Sequence, residues 1–564
     1  MRTLRLLPLL LLVTTALQAA APEPVRAPHA MVASTSEIAS KVGADIMKKG
    51  GNAVDAAIAV SLALAVTWPS AGNLGGGGFM LIRKADGTAE ALDYRERAPL
   101  AATRDMYLDA KGDVVKGLST EGYKAVGVPG TVAGLALAHQ RHGKLKWAEL
   151  VEPARKLAAE GFVVNYHLAR SLRSEGTKKR LGNFPESVRV YQRNGKFYDM
   201  GEKFVQPELA ATLMRIRDNG RDGFYKGETA RLIAEDMKAH GGLITTADLA
   251  GYEATVRKPL MGKYRGYDIL TMPPPSSGGI ALLEMLHMLE AYDLKAMGWH
   301  SSQEIHLVTE IERRAFADRA AFLGDADFVK VPVSALISTA YADKRRADID
   351  LTHASTSETV GAGNPAPYES AETTHFTIVD AEGSVVSSTY TLNDSYGSGV
   401  TAKGTGVLLN DEMDDFTSKP GVPNDYKLIQ GEANAIQPKK RPLSSMTPTI
   451  ALKDGKVAFA IGSPGGPTII NTVLQVVLNV IDFNMDIQEA ISAPRFHHQW
   501  LPDELFWEDR GINADTRQIL EKMGHKFREH PGSLGDAQGI AIDPVNGMRM
   551  GASDPRLGGV PVGW

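Results

Sequence analysis

The sequence predicts an α+β protein, and three stretches carry that prediction. Residues 372–380 and 384–393 form two arms rich in Val, Thr, Phe and Tyr, the composition of half-buried strands. Residues 127–319 read as mainly helical, broken by polar loops. Beyond them, strands at 449–452 and 457–461 run into an apolar helix over 468–480.

Taken in order, the first 21 residues stand apart. Arg2 and Arg5 precede an apolar run over 6–17, followed by Ala19-Ala20-Ala21-Pro22. A positive start, a short greasy stretch and small residues at the exit predict a secretory signal peptide. The run is too short to cross roughly 30 Å of hydrocarbon as a helix, and no Cys is present for lipid attachment. The expected address is periplasmic or secreted, with no membrane span. The absence of Cys also excludes a thiol nucleophile, disulfides and Cys-ligated metal, so stability rests on a core that 564 residues can supply. Net charge is −4 without a basic block, which argues against nucleic acid as a partner.

Thr35 or Ser36 can cap a helix carrying Ile38, Val42 and Ile46, stopped at Gly50-Gly51. Asn52 can cap the next, apolar nearly all round over 53–66 and hence buried, before Trp68-Pro69 ends it. The glycine run at 72–78 lacks the spacing of a phosphate cradle and implies close backbone packing before a strand at 79–83. A strand at 89–94 then delivers Arg95. A strand-end arginine is usually a solvated charge, yet it is also the side chain best built to fork onto a carboxylate. Residues 273–279 end a strand and open an apolar helix, and Ile305, Val308, Ile311 and Ala315 mark a long amphipathic one. Residues 345–372, poor in large apolar groups, read as an exposed flexible linker.

The hairpin organises the rest. If Ala381-Glu382-Gly383 is a three-residue loop with glycine in the left-handed position, Asp380 faces Ser384. Counting back without a bulge, Thr373 faces Thr391, and Asn393 projects from the same side. Threonine is common in strands, so the pair gains weight only from a second group of residues downstream. Glu412 and Asp415, three residues apart, share a face if their segment is helical. A Pro/Gly/Asn-rich loop at 420–431 carries Tyr426, and Ser444-Ser445 precede the strand at 449–452. Gly465-Gly466 sit at a helix start whose N–H groups can hold an oxyanion. His497-His498 fit no metal-binding pattern and read as structural; neither a metal nor a cofactor is expected.

With Arg95, Thr373, Asn393, Glu412, Asp415, Ser444, Ser445, Gly465 and Gly466 in hand, the chain resembles the γ-glutamyltranspeptidase (glutathione hydrolase) family over essentially all of its mature length. Its most specific pieces are Thr373-Thr374-His375 and the stretches 409–416, 441–448 and 462–466. The resemblance implies an N-terminal-nucleophile hydrolase: an αββα four-layer sandwich, two mixed sheets between helical layers. It implies self-cleavage of Glu372–Thr373, giving a large subunit (22–372) and a small one (373–564) entwined in one catalytic body. Many members carry Gln or Gly before the nucleophile; this chain departs from them with Glu372.

The chemistry agrees. A threonine hydroxyl needs a base, and the freed α-amino group of Thr373 supplies one, with an ordinary pKa of about 7.7–8.0. Thr391 can orient that hydroxyl, and Gly465 and Gly466 can donate to the oxyanion. A γ-glutamyl α-carboxylate suits Arg95 with Ser444 and Ser445; its α-ammonium suits Asp415, with Glu412 and Asn393 beside it. The loop at 420–431 with Tyr426 resembles the lid of family members that cover the bound glutamate, which implies small γ-glutamyl peptides such as glutathione rather than polymers. The expected reaction passes the γ-glutamyl group to water or to amino-acid and dipeptide acceptors. A cephalosporin or glutaryl acylase is the enzymatic alternative, disfavoured because a glutaryl group has no ammonium for Glu412 and Asp415. An unprocessed scaffold is the third reading, which a denaturing gel separates from the others.

Overall fold

A computed structural model describes residues 22–364 and 374–564. The signal segment, Glu372 and Thr373 lie outside the described residues.

Two seven-stranded sheets face each other. One runs, edge to edge, Val25–Ala27, Arg549–Ser553, Gln538–Ile542, Lys456–Gly462, Thr449–Lys453, Tyr267–Thr271 and Leu260–Tyr264. The other runs Val562–Gly563, Met31–Ser34, Thr374–Val379, Val385–Thr391, Gly77–Arg83, Ala89–Asp93 and Thr255–Arg257. Every pairing within both is antiparallel, which corrects the expectation of mixed sheets. Strand alternation sorts the side chains between layers. Phe79 and Leu81 enter the inter-sheet core with Met446, Ile450 and Ile540, whereas Met80 and Ile82 point into the outer core. That outer core is closed by helices Glu37–Lys48, Ala53–Thr67 and Trp147–Glu160. On the far side, helices Gly278–Leu289, Ser302–Phe322 and Thr468–Ile481 cover the other sheet. The result is the four-layer αββα sandwich.

Local signals hold where chain chemistry alone decides. Ser36 caps the first helix, and Asn52 and Asp55 exchange side chain-to-backbone bonds in a capping box at the second. The glycine run is packed as tightly as expected: a Cβ on Gly76 would lie 1.8 Å from the Thr391 carbonyl oxygen.

Two expectations fail because neighbours cover surfaces that the chain alone would leave wet. Helix Ser302–Phe322 is buried on its polar face as well, with Glu310, Glu312, Arg313 and Arg314 inside. Residues 345–364 are not a free linker. Ser355 donates its N–H to Glu310 at 3.0 Å, Ser357 its N–H to Asp503 at 2.9 Å, and Trp500 Nε1 binds the carbonyl of Val360 at 2.7 Å. Backbone polar bonds, not apolar bulk, tie that segment down.

Candidate active site

The hairpin has the register its loop implies. Val379 pairs with Val385 and the ladder runs unbulged to Thr374 opposite Tyr390. Gly383 adopts φ +90°, and Asp380 Oδ1 accepts from the N–H groups of Glu382 and Ser384. Asp380 Oδ2 accepts from Ala53 N–H at 3.0 Å, anchoring the loop on a helix N-terminus. Between the sheets, His375 is held by Thr389 and Thr377 at 2.9 Å each, and burial pushes its imidazole down to about 3, so the ring stays neutral.

Thr391 closes its strand at the rim of this structure. Its carbonyl accepts from Asn73 Nδ2 at 2.7 Å, and its hydroxyl accepts from the Asn393 N–H at 2.8 Å. Asn393 takes φ +74°, a conformation asparagine tolerates better than most residues. Its Nδ2 donates to the Asp411 carbonyl at 3.2 Å, while its buried Oδ1 has no partner.

Arg95 is wholly buried, which overturns the solvated-charge reading. Residues 412–415 fold as one 3-10 turn, so Glu412 and Asp415 do share a face, and the Arg95 guanidinium bonds to both carboxylates. It also donates to the carbonyls of Pro442 and Leu443 at 3.2 and 3.1 Å, with Glu96 at 3.5 Å. The two halves of the expected substrate clamp therefore meet each other, since a buried arginine must find anions. Three carboxyls around one cation leave excess negative potential. Burial raises Glu412 well above the usual carboxylate range and pushes Glu96 up to about 7. Glu412 Oε2 makes no hydrogen bond.

Ser444 and Ser445 follow directly and are buried. The Ser444 hydroxyl accepts from Met446 N–H at 3.2 Å, and the Ser445 hydroxyl accepts from Arg319 at 2.9 Å. Gly465 and Gly466 take φ +132° and +66° ahead of helix Thr468–Ile481. Neither N–H donates a hydrogen bond among the described residues. Tyr426 reaches Asp394 Oδ1 through its hydroxyl at 2.5 Å. A cavity of about 580 Å³ joins Asn393, Asp394, Tyr426, Gly465, Arg170 and Asp536. Arg95, Glu412, Asp415 and the serine pair are not on its wall. His497 and His498 are engaged by Asn471, Gln499 and Asp503.

Sequence reasoning missed Asn73, whose signal was its place inside the glycine run, and Glu96, which adjoins Arg95. It also missed Arg180 and Asp536, for which no local pattern exists.

A family model described as Gamma-glutamyltranspeptidase matches residues 39–564. The Glutathione hydrolase proenzyme of Escherichia coli (strain K12) is 50% identical over 533 residues, 94% of this chain and 91% of that protein. Cephalosporin acylase from Bacillus halodurans superposes over 98% of both chains with a TM-score of 0.86 at 28% identity. The Helicobacter pylori gamma-glutamyltranspeptidase covers 61% of this chain and 97% of its own, with a TM-score of 0.58 at 43% identity.

Proposed function

The chain belongs to the γ-glutamyltranspeptidase family, and from that premise we propose how its residues carry out the reaction. It is a γ-glutamyltransferase and glutathione hydrolase made as a self-processed precursor.

Processing cuts Glu372–Thr373. The Thr373 hydroxyl attacks the Glu372 carbonyl, the C–N bond breaks to give an ester with the α-amino group of Thr373 set free, and water hydrolyses that ester to release the Glu372 carboxylate and restore the hydroxyl. Residues 22–372 then form the large subunit and 373–564 the small one. The former are 351 of the 564 residues, close to the 61% of this chain that the Helicobacter pylori chain covers. The freed amine takes the Thr373 hydroxyl proton as the oxygen attacks the donor's γ-carbonyl, with Thr391 across the ladder orienting the hydroxyl. Gly465 and Gly466 N–H groups receive the oxyanion. The leaving amine departs with a proton, and water or an amino-acid or dipeptide acceptor takes the γ-glutamyl group from Thr373.

The observation that carries this reading is the buried Arg95–Glu412–Asp415 cluster. A bound γ-glutamyl zwitterion exchanges partners like for like: its carboxylate replaces the acids on Arg95, and its ammonium replaces Arg95 on Asp415 and Glu412. Asn393 Oδ1 and Glu412 Oε2, both without partners, are acceptors for that ammonium. Ser444 and Ser445 flank the carboxylate, and Tyr426 covers it. A glutaryl donor would leave the acidic pair unmet, costing roughly 1–3 kcal/mol or more, which weighs against the acylase alternative despite the fold shared with the Bacillus halodurans enzyme. Export through the signal peptide at 1–21 to the periplasm or medium fits the apolar leader; no described helix is long and apolar enough to cross a membrane.

Intact mass with N-terminal sequencing tests the reading. Wild-type protein should give two chains, the smaller starting at Thr373, and Thr373→Ala should stay as one inactive chain. Activity from an uncut wild-type chain overturns the mechanism, since no free amine would exist to act as base.

A further inference from the structure

Arg97, two residues beyond Arg95, carries a guanidinium with no acid of its own. Its flat face lies over the ring of the buried Tyr252, 5.2 Å from the ring centre. Its Nε is buried without a partner, and the side chain makes no hydrogen bond or ion pair among the described residues. The nearby acids are committed elsewhere. Asp93 is held by Arg257 and Arg441, and Asp325 accepts from the N–H groups of Arg441 and Asp327. Burial, and then the like charge of Arg441, press the Arg97 guanidinium below its ordinary range. A partly buried cation short of an anion is a costly arrangement unless a ligand or solvent supplies acceptors.

Arg97 lines a cavity of about 90 Å³ together with Leu100, Val128, Tyr252 and Lys439. Lys439 is exposed and also makes no ion pair among the described residues. The carboxylate on this wall, Asp248, is already satisfied. Its Oδ1 accepts from Leu100 N–H at 2.7 Å, and its Oδ2 accepts from Thr245 N–H at 2.8 Å and Thr245 Oγ1 at 2.5 Å. The wall thus offers two cations without acids and one acid whose oxygens both already accept. A guanidinium stacked on a fixed ring keeps its fork pre-set, and that fork matches two oxygens of one oxyanion. We propose that the cavity is an anion site for a carboxylate or phosphate group, taken in the fork of Arg97 with Lys439 at the rim. It stands apart from the γ-glutamyl clamp, whose Arg95, Glu412 and Asp415 are not on this wall. The site does not depend on the transferase reading.

Calorimetric titration of the purified protein near neutral pH, at constant ionic strength, reads the site with inorganic phosphate and with acetate as probes. Wild type should bind one equivalent of at least one of them, and the tighter of the two names the group. Arg97→Met keeps an unbranched stem over Tyr252 but removes the fork, so affinity should fall about tenfold or more. Arg97→Lys keeps the charge without the fork and should fall between the two. The site is overturned if neither anion saturates the wild type. It is equally overturned if Arg97→Met binds as tightly as wild type, since the anion then sits elsewhere. Lys439 is exposed, so Lys439→Gln decides should Arg97→Met fail to fold: a loss of about threefold supports the site, and unchanged affinity overturns it.

Discussion

Two arginines, Arg95 and Arg180, each hold a pair of acids, and their surroundings differ. Arg95 is sealed from solvent between Glu412 and Asp415, yet Glu412 Oε2 is left without a hydrogen-bond partner among the described residues. Arg180, on helix Glu175–Gly182, bonds to Asp394 and Asp411 and to the carbonyls of Thr120 and Gly397. Its own carboxylate partners are satisfied: Asp411 also accepts from the Asp394 N–H at 3.0 Å, and Asp394 from Tyr426. A satisfied cluster is a clasp, here joining the 22–372 part to the 373–564 part. The unsatisfied cluster around Arg95 is the proposed γ-glutamyl site, where an orphaned acceptor can take a ligand's charge.

The largest effect should come from Arg95→Ala. Losing one partner of a buried charge pair costs roughly 2–5 kcal/mol, or about 30- to several-thousand-fold in kcat/KM for a γ-glutamyl anilide. The loss should appear in donor binding, with maturation into two chains intact. Unchanged donor kinetics would return Arg95 to a structural role.

Arg180→Ala should act on the fold instead. Stability should fall by roughly 2–4 kcal/mol, read as a lower melting temperature and easier separation of the two chains, with donor KM moving far less than in Arg95→Ala. If both variants weaken donor binding equally while melting normally, the distinction between clasp and site fails.

Thr391→Val is a finer probe. It removes the acceptor for the Asn393 N–H and the hydroxyl facing Thr373 in the proposed ladder, so precursor disappearance should slow markedly while circular dichroism stays native. Thr389→Val strips a partner from neutral His375 instead, at roughly 1–3 kcal/mol of stability, and should slow cleavage much less. Equal slowing by the two would shift the register. Tyr426→Phe should have the smallest effect, about 0.5–1.5 kcal/mol, visible as a several-fold rise in donor KM.

Much of this was legible in the chain, because it depends on short-range chemistry. Glycine at 383 and the length of the loop set the hairpin register, and alternation then put Thr391 and Thr389 on one face. Capping residues marked the helix starts, and the three-residue spacing of Glu412 and Asp415 survived even as a 3-10 turn. Site residues drawn from far-apart segments were legible only as residue types. The chain did not reveal that Arg95 and its acids bind each other. That outcome depends on burial, and burial depends on the layers above and below.

The sequence by itself determined the α+β class and the hairpin, since propensity, spacing and loop length act over a few residues, while the side chains proposed for a γ-glutamyl group came from the family resemblance. Only the tertiary structure decided that Arg180 clasps Asp394, that Asp536 keeps a free oxygen beside Gly465, and that 345–364 is pinned. Each of these joins residues tens to hundreds of positions apart, and whether a polar atom there is satisfied or orphaned depends on how completely the packed layers exclude water.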